Sequence, residues 1–374
     1  MAMRLPPVLV LLALACPRTA APGAAQATSA DTGVAAHIDR FIADSLGAVP
    51  FSGTIAMSRG GELVFSRGYG LAHREEDVPV TPRTRFLIGS VTKQMTAAAV
   101  LMLQDRGRLN VHDPICRHLS RCSAAWGPVT IHHLLTHTSG IPDIFALGFG
   151  ATRAMPRTHD QLVDIFLAEP LGFAPGSRFQ YSNSAYILLG EIVERAGGRP
   201  YASFIRDSIF APAGMASTGF WDNAAVVKHL ATGYVVRDGT HRRGPYEDRT
   251  TVTAEGNSTY STGEDLVSWM RILHRGHLLS PGSLRAMLAP HVVRDGDGPR
   301  AGQGYGYGWY VHQELGRPVY SHPGIIPGYW SYVAYFPNDD VAIAVLSNSS
   351  PNLAPVIRAA ASAVFGTSRP GVGR

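Results

Sequence analysis

A serine and a lysine three residues apart, Ser90 and Lys93, are the side chains whose types and spacing best suit covalent catalysis. If a helix begins at Ser90, this spacing places the hydroxyl and the amine on one face, about one turn apart. The chain has 33 basic residues, and Lys93 and Lys228 are the only lysines among them. A desolvated lysine, unlike arginine, can lose its proton and then accept one from serine. The pair therefore predicts a serine nucleophile with a lysine base; the alternative is a solvated lysine in a first helical turn.

Two further short segments carry side chains that suit a catalytic cleft. Tyr181 and Asn183 lie two residues apart just before a predicted helix, where a phenol could relay a proton and an amide could hold a substrate carbonyl. His322 lies at the end of a predicted strand and Gly324 comes just after it, where the imidazole could donate a hydrogen bond and the glycine could let a substrate approach the backbone. By itself, the Tyr181 segment is more typical of an ordinary turn and helix N-cap, and the His322 segment is also typical of a strand end followed by a turn.

Three histidines close together, His132, His133 and His137, raise the question of a metal site. His133 and His137 have the i, i+4 spacing of a helical metal pair, but no glutamate lies between them as in a metalloprotease motif. We therefore expect structural histidines near the cleft, and neither a metal nor a cofactor.

The composition is that of a loop-rich globular enzyme. Of the 374 residues, 45% are hydrophobic and 16% are charged, so the chain can bury a large core and is not disordered. The net charge of +5 is mild and forms no basic stripe, which disfavours a nucleic-acid partner. Cys116 and Cys122 could close a small disulfide loop or remain two buried thiols.

The first 27 residues have the pattern of a secretory signal peptide. A basic residue is followed by a short apolar run, and Ala25-Gln26-Ala27 forms a peptidase site. We expect a secreted or periplasmic protein; a lipoprotein acylated at Cys16 is a second, less favoured interpretation. No later stretch has about 20 uninterrupted apolar residues, so we expect no stable membrane span.

The hydrophobic periodicity predicts strands near both ends of the chain and helices between them. A helix after Asp31 precedes two strands over Phe51–Met57 and Leu63–Tyr69. Four more strands lie between Tyr307 and Leu346, and a closing helix follows them. The segment after Ser90 is apolar on all sides, which is typical of a buried central helix. The pattern predicts one sheet built from both termini with a helical insertion.

The three motifs occur in an order that resembles the class C β-lactamase and penicillin-binding (DD-peptidase) family of serine hydrolases, which also includes esterases and D-amino-acid peptidases. Further segments that resemble the family are Thr84–Lys93, Leu134–Ile141, Leu188–Gly190 and Pro212–Met215. The resemblance covers residues 34–365. It implies an α/β (α+β) fold of the β-lactamase/transpeptidase type, with an antiparallel sheet flanked by helices and an inserted all-helical subdomain. The implied sheet subdomain comprises residues 34–88 and 290–365, and the helical subdomain residues 89–289.

The resemblance also implies roles for the motif residues. Ser90 would attack a carbonyl, Lys93 and Tyr181 would share proton transfer, and the substrate-binding residues would be Asn183, His322, Gly324 and Ile325. Backbone N–H groups of Ser90 and Ile325 would form the oxyanion hole, in line with the charge stabilisation that such donors provide.

The third motif departs from the Lys-Thr-Gly of many family β-lactamases, since the chain has His322-Pro323-Gly324. Pro323 lacks the hydroxyl that helps to bind a substrate carboxylate, which favours an ester or another amide as the substrate. The expected partner is a small-molecule or peptidoglycan-derived substrate. The alternative from another functional class is a non-catalytic sensor of cell-wall fragments. The sequence leaves the oligomeric state open.

Overall fold

The structure is a computed structural model that describes residues 29–45, 51–295, 301–349 and 352–366. The predicted signal peptide of residues 1–27 lies outside these ranges. Within the described ranges, no helix is both long and apolar enough to cross a membrane.

Along the sequence, a strand-rich block is followed by a mainly helical block and then by a second strand-rich block. The α-helices are α1 Ser29–Ser45, α2 Thr92–Asp105, α3 Ile131–Leu135, α4 Phe149–Thr152, α5 His159–Leu167, α6 Asn183–Gly197, α7 Tyr201–Ile205, α8 Gly263–His274, α9 Pro281–Leu288 and α10 Ala354–Phe365. The strands are β1 Gly53–Arg59, β2 Glu62–Tyr69, β3 Leu71–His73, β4 Val78–Pro79, β5 Phe86–Leu87, β6 Gly219–Phe220, β7 Tyr234–Arg237, β8 Thr240–Arg243, β9 Thr259–Ser261, β10 Val292–Val293, β11 Gly304–Tyr305, β12 Tyr310–Glu314, β13 Arg317–Ile326, β14 Tyr329–Phe336 and β15 Val341–Ser347.

The main sheet has eight strands in the order β10-β11-β12-β13-β14-β15-β1-β2, and all neighbouring strands are antiparallel. The hairpin between β1 and β2 turns at Gly60 and Gly61, which both have positive φ angles of 59° and 84°. Such angles suit glycine and match the twist of the strands. β1 pairs directly with β15, so the two ends of the chain meet in one sheet, as the sequence pattern predicts.

Helices cover both faces of the sheet. α1 and α10 pack together on one face, over a core that includes Ile55 and Ile343, and α8 packs against β1 and β15 on the other face. The predicted fold class, an antiparallel sheet flanked by helices, is confirmed. The inserted region is mainly helical and also contains the short strands β6 to β9; the predicted subdomain boundaries remain a prediction.

Helix α2 is the buried centre of the molecule. Every residue from Thr92 to Leu103 is buried, because the helix lies between the main sheet and the helical region. Gly308 (φ 77°) lets another segment approach closely, since a side chain there would come within 2.9 Å of the Lys93 carbonyl oxygen. A helix fixed on all sides holds the residues at its N-terminus in one place.

A disulfide bond joins Cys116 to Cys122, whose Cα atoms are 5.4 Å apart. The sequence left open whether these thiols pair. The bond closes a short loop in the helical region.

Candidate active site

The serine of the first motif lies on a tight turn at the start of α2. Gly89, Ser90 and Val91 form one turn of 3-10 helix, and Gly89 has a positive φ angle of 52°. The Ser331 hydroxyl donates to the Ile88 carbonyl at 2.7 Å, which ties the turn to β14. Ser90 is therefore presented by a short helical turn at the N-terminal end of α2, and not by α2 itself.

Strand β13 runs directly beside this turn. A side chain on Gly324 would come within 1.9 Å of the Ile88 carbonyl oxygen, and one on Gly89 within 2.9 Å of the Ile325 backbone nitrogen. Positions 89 and 324 therefore each require glycine. This contact brings the Ile325 backbone next to Ser90, where the predicted oxyanion hole requires it.

Lys93 is completely buried, and its ammonium group has three acceptors. Nζ donates to Ser90 Oγ at 3.0 Å, to Asn183 Oδ1 at 2.9 Å and to the Glu255 carbonyl oxygen at 3.0 Å. Burial lowers the pKa of Lys93 to about 7, although the negative charges of Glu255 and Asp143 act to raise it. A large fraction of Lys93 is thus neutral near pH 7, as a general base for Ser90 must be.

Tyr181 also contacts Ser90. Its hydroxyl shares a hydrogen bond with Ser90, and the centre of its ring lies 5.0 Å from Lys93 Nζ. Burial raises the pKa of the Tyr181 phenol well above its usual range, and the hydrogen bond with Ser90 offsets only part of that rise. Tyr181 therefore stays protonated at neutral pH and can pass a proton on, while Lys93 is the group that can accept one.

Asn183 is fixed in its orientation by Asp143. The Asn183 backbone N–H donates to Asp143 Oδ1 at 2.7 Å, and its Nδ2 donates to the same oxygen at 3.1 Å. The amide nitrogen therefore faces Asp143 and the amide oxygen faces Lys93. Asp143 is a functional residue that the sequence reasoning missed.

A series of buried rings, each in contact with the next, packs against Tyr181. His137 packs against Tyr181 with ring centres 4.2 Å apart and the rings tilted by 31°, and its Nδ1 accepts a hydrogen bond from the Ser182 backbone N–H at 3.0 Å. Burial holds the pKa of His137 well below its usual range, so the neutral ring carries its proton on Nε2. That proton points to the Tyr305 hydroxyl at 3.1 Å, and the Tyr305 hydroxyl shares a hydrogen bond with His322 Nε2 at 3.1 Å.

Both ring nitrogens of His322 face a hydrogen-bond partner. The ring is buried, with an exposed fraction of 1%, and its Nδ1 faces the Pro323 carbonyl oxygen at 2.6 Å. Because a carbonyl oxygen can only accept a hydrogen bond, Nδ1 carries a proton. His322 thus lies in a buried layer with Tyr305 and Tyr181, and its direct contact with substrate remains a prediction.

A cavity of about 330 Å³ opens over Ser90. Apolar, polar and charged residues all line the cavity. The residues are Gly89, Ser90, Phe145, Phe149, Arg153, Asn183, Glu247, Asp248, Glu255, Gly256, Asn257, Ile325, Ile326, Pro327 and Trp330. Among the residues predicted from the sequence, Ser90, Asn183 and Ile325 line this cavity directly.

The histidine group shows no metal-binding arrangement. His132 Nδ1 bonds with the Tyr307 hydroxyl at 2.8 Å, and His133 Nδ1 accepts from the Thr130 backbone N–H at 3.2 Å. In the parts of the chain that the structure describes, no three His, Cys, Asp or Glu side chains are grouped so as to hold a metal ion.

The chain is similar in sequence to known proteins. The family model described as Beta-lactamase matches residues 34–365. Penicillin-binding protein 4* of Bacillus subtilis (strain 168) is 30% identical over 335 residues, covering 84% of this chain and 73% of that protein.

Solved structures show the same fold. A penicillin binding protein from Bacillus halodurans superimposes with a TM-score of 0.77 at 30% identity, over 88% of this chain and 98% of that one. The D-amino acid amidase from Ochrobactrum anthropi SV3, complexed with L-phenylalanine amide, gives a TM-score of 0.74 at 22% identity, over 91% of this chain and 99% of that one.

Proposed function

The chain belongs to the β-lactamase family and is a serine hydrolase, and from that premise we propose that it cleaves an ester or amide through an acyl-Ser90 intermediate. The observation that carries the proposal is the buried Lys93 amine, 3.0 Å from Ser90 Oγ and with a pKa of about 7. A lysine with an ordinary pKa would be almost entirely protonated at pH 7 and could not accept a proton.

The first half of the proposed reaction forms the acyl-enzyme. Neutral Lys93 takes the proton of Ser90 as Oγ attacks the carbonyl carbon, and the carbonyl oxygen becomes an oxyanion between the backbone N–H groups of Ser90 and Ile325. The bond to the leaving group then breaks. Protonated Tyr181 supplies the proton that the leaving group needs and recovers one from Lys93.

The second half releases the product. A water molecule attacks the acyl-serine ester, its proton passes to Lys93 or through Tyr181, and the bond to Oγ breaks as Ser90 regains a proton. The carboxylic acid product then leaves, and the enzyme returns to its starting state. No other group has to be consumed.

The substrate that the cleft favours is an ester or an amide that lacks a carboxylate near the scissile bond. Pro323 carries no hydroxyl at the position where family β-lactamases have threonine. Arg153 is the only cationic residue lining the cavity among those described, and its Nη1 is engaged by Glu247 at 2.6 Å. No free cation among the described residues therefore faces an incoming carboxylate there.

We further propose that the protein is exported by the signal peptide of residues 1–27 and acts outside the cytoplasm.

A panel of substrates tests this proposal. Purified protein should hydrolyse p-nitrophenyl esters faster than nitrocefin and D-Ala-D-Ala peptides, and Ser90→Ala should reduce every activity to background. Turnover by the unaltered protein that is no faster than that of Ser90→Ala on the whole panel would contradict the proposal and would favour the non-catalytic sensor.

A further inference from the structure

Glu247 connects two loops that form part of the cavity wall. Its Oε1 atom accepts a hydrogen bond from Arg153 Nη1 at 2.6 Å, and its Oε2 atom accepts one from Arg249 Nη2 at 3.0 Å. Arg153 comes directly after α4, whereas Glu247 and Arg249 lie in the loop between β8 and β9. The two loops also meet where the Asp248 backbone N–H donates to the Arg153 carbonyl oxygen at 2.9 Å. One carboxylate is therefore shared between two arginines from different parts of the chain.

Arg249 fixes Glu247 from the protein interior. Only 5% of the Arg249 side chain is exposed, its Nε donates to the Asn257 carbonyl oxygen at 3.0 Å, and its Nη1 donates to the Glu247 carbonyl oxygen at 2.9 Å. Its guanidinium also lies over the Trp221 ring, 5.3 Å from the ring centre. A buried guanidinium that loses its carboxylate partner is costly, so this ion pair is retained. The position of the Glu247 carboxylate is thus set by the protein and not by a ligand.

Arg153 is the arginine that lines the cavity. Its Nε donates to the Gly150 carbonyl oxygen at 2.9 Å within α4, and its Nη1 donates to Glu247. Arginine carries a positive charge at every accessible pH, and here the Glu247 carboxylate balances that charge. Among the described residues, the carboxyl groups of Glu247, Asp248 and Glu255 line the cavity against this one guanidinium. The lining therefore has no excess of positive charge.

The bond to Glu247 determines whether Arg153 can bind a substrate anion. A free guanidinium binds a carboxylate through two parallel hydrogen bonds, which makes arginine well suited to the recognition of anionic substrates. In this cavity Glu247 already occupies the guanidinium, so a substrate carboxylate would have to displace it. Because Glu247 is also the partner of the buried Arg249, it cannot turn away without leaving that cation unpaired. The exchange is therefore unfavourable.

We propose that Glu247 is a specificity-determining residue: by occupying Arg153 it excludes negatively charged acyl groups, so that the enzyme selects neutral ones. This inference rests on the proposed function, because it concerns the acyl group that Ser90 accepts. Glu247 takes no part in the proton transfers and acts on substrates through Arg153.

The proposal predicts a gain of activity and not only a loss. Removal of the Glu247 charge should release Arg153 and let the cavity bind anionic acyl groups that the unaltered protein rejects. A residue that only stabilised the loops would give a general decrease for every substrate when it is replaced. The ratio between an anionic and a neutral substrate therefore distinguishes the two roles.

Matched esters test the inference: p-nitrophenyl phenylacetate and its 3-carboxy and 4-carboxy derivatives, which differ from it only in a carboxylate on the acyl ring. We expect the unaltered protein to hydrolyse the neutral ester at least about tenfold faster, in kcat/KM at pH 7.5, than the better of the two charged esters. Glu247→Gln should raise the relative kcat/KM of the charged ester about tenfold, because Arg153 becomes available. The double variant Glu247→Gln/Arg153→Gln should lose this gain.

Glu247→Asp is a second variant that decides the question if Glu247→Gln does not fold. The shorter side chain keeps a carboxylate for the buried Arg249 but cannot reach both arginines, so we expect a smaller gain of about threefold. Labelling of Ser90 by a fluorophosphonate reports whether each variant is folded and reactive. Asp339→Asn is the matched control, because Asp339 pairs with Arg317 outside the cavity and is 17% exposed, against 12% for Glu247. This variant should leave the ratio unaltered.

The outcomes separate the inference from the proposed function. If Ser90 is labelled in the Glu247 variants but the relative kcat/KM of the charged esters does not rise, the inference is wrong and the proposed function stands. The same holds if the unaltered protein hydrolyses charged and neutral esters equally well, or if the double variant keeps the gain. If Ser90 is not labelled in the unaltered protein, both fail.

Discussion

The two sides of the cleft are built differently. On the reacting side, Ser90, Lys93, Tyr181 and Asn183 are connected by hydrogen bonds, and their orientations are fixed. On the substrate side, the apolar residues and Glu255 face an open cavity, and the Glu255 Oε2 atom has no protein donor among the described residues. The hydrogen bonds of the reacting side are formed without a ligand, whereas the substrate side leaves an open cavity that a ligand would fill.

This difference separates chemistry from specificity. Changes on the reacting side should lower kcat for every substrate, because they alter the proton transfers that all substrates share. Changes on the substrate side should alter KM or the choice between substrates. Substitutions on each side test this separation, and their expected effects range from about a thousandfold loss of kcat to a few-fold change in KM.

Lys93→Arg should reduce kcat at least about a thousandfold, because arginine stays protonated and cannot accept the proton of Ser90. The measurement is p-nitrophenyl ester hydrolysis across pH 6–9. Lys228→Arg, on the other, exposed lysine, is the matched control and should have the activity of the unaltered protein. Equal losses in both variants would show that Lys93 is not the base.

Tyr181→Phe should lower kcat about a hundredfold, since the ring remains packed on His137 while the hydroxyl that relays the proton is lost. Tyr186→Phe is the control: that hydroxyl is also buried, and it donates to the Leu135 carbonyl at 3.0 Å and not to Ser90. We expect Tyr186→Phe to lower the melting temperature and to change kcat by less than about threefold. The same kcat in Tyr181→Phe as in the unaltered protein would exclude the relay.

Asp143→Asn should reduce activity about tenfold and move its pH dependence. The charge of Asp143 raises the pKa of Lys93, so its removal lowers that pKa below about 7. Activity rises as Lys93 loses its proton, and the rise should therefore occur at lower pH in the variant. A pH profile of kcat/KM with a neutral ester measures this shift. A shift to higher pH would contradict the assignment of Lys93 as the base.

Phe145→Ala should raise KM for aromatic esters a few fold and leave kcat nearly unchanged, because the ring covers the cavity mouth without touching the reacting atoms. The ring is 43% exposed, so its removal should hardly affect stability. Steady-state kinetics with phenylacetate and acetate esters would measure the effect. A decrease in kcat as large as that of Tyr181→Phe would contradict the separation of the two sides.

The reacting side could be predicted from the sequence because its residues follow local rules. Ser90 and Lys93 are one helical turn apart, and the rarity of lysine drew attention to Lys93. Tyr181 and Asn183 lie at the N-terminus of α6, where their direction is set by the helix. The strands of the sheet were equally predictable, since the period of two and the Gly60-Gly61 turn are local signals.

The substrate side could not be predicted, because its residues meet only through the fold. Glu255 lies 162 positions from Lys93. The same holds for Asp143 on the reacting side, which lies 40 positions from Asn183. An isolated glutamate in Ala254-Glu255-Gly256 gives no sign that it faces a cavity. The sequence predicts a structural histidine at position 137, and in the structure its ring packs against Tyr181.

The most direct test of the central claim is the labelling of Ser90 by a fluorophosphonate, followed by peptide mapping, at a series of pH values from 5 to 9. We predict an adduct on Ser90 alone, formed at a rate that increases through about pH 7 as Lys93 becomes neutral. An adduct on another residue, labelling that persists in Ser90→Ala, or a rate independent of pH would contradict the account.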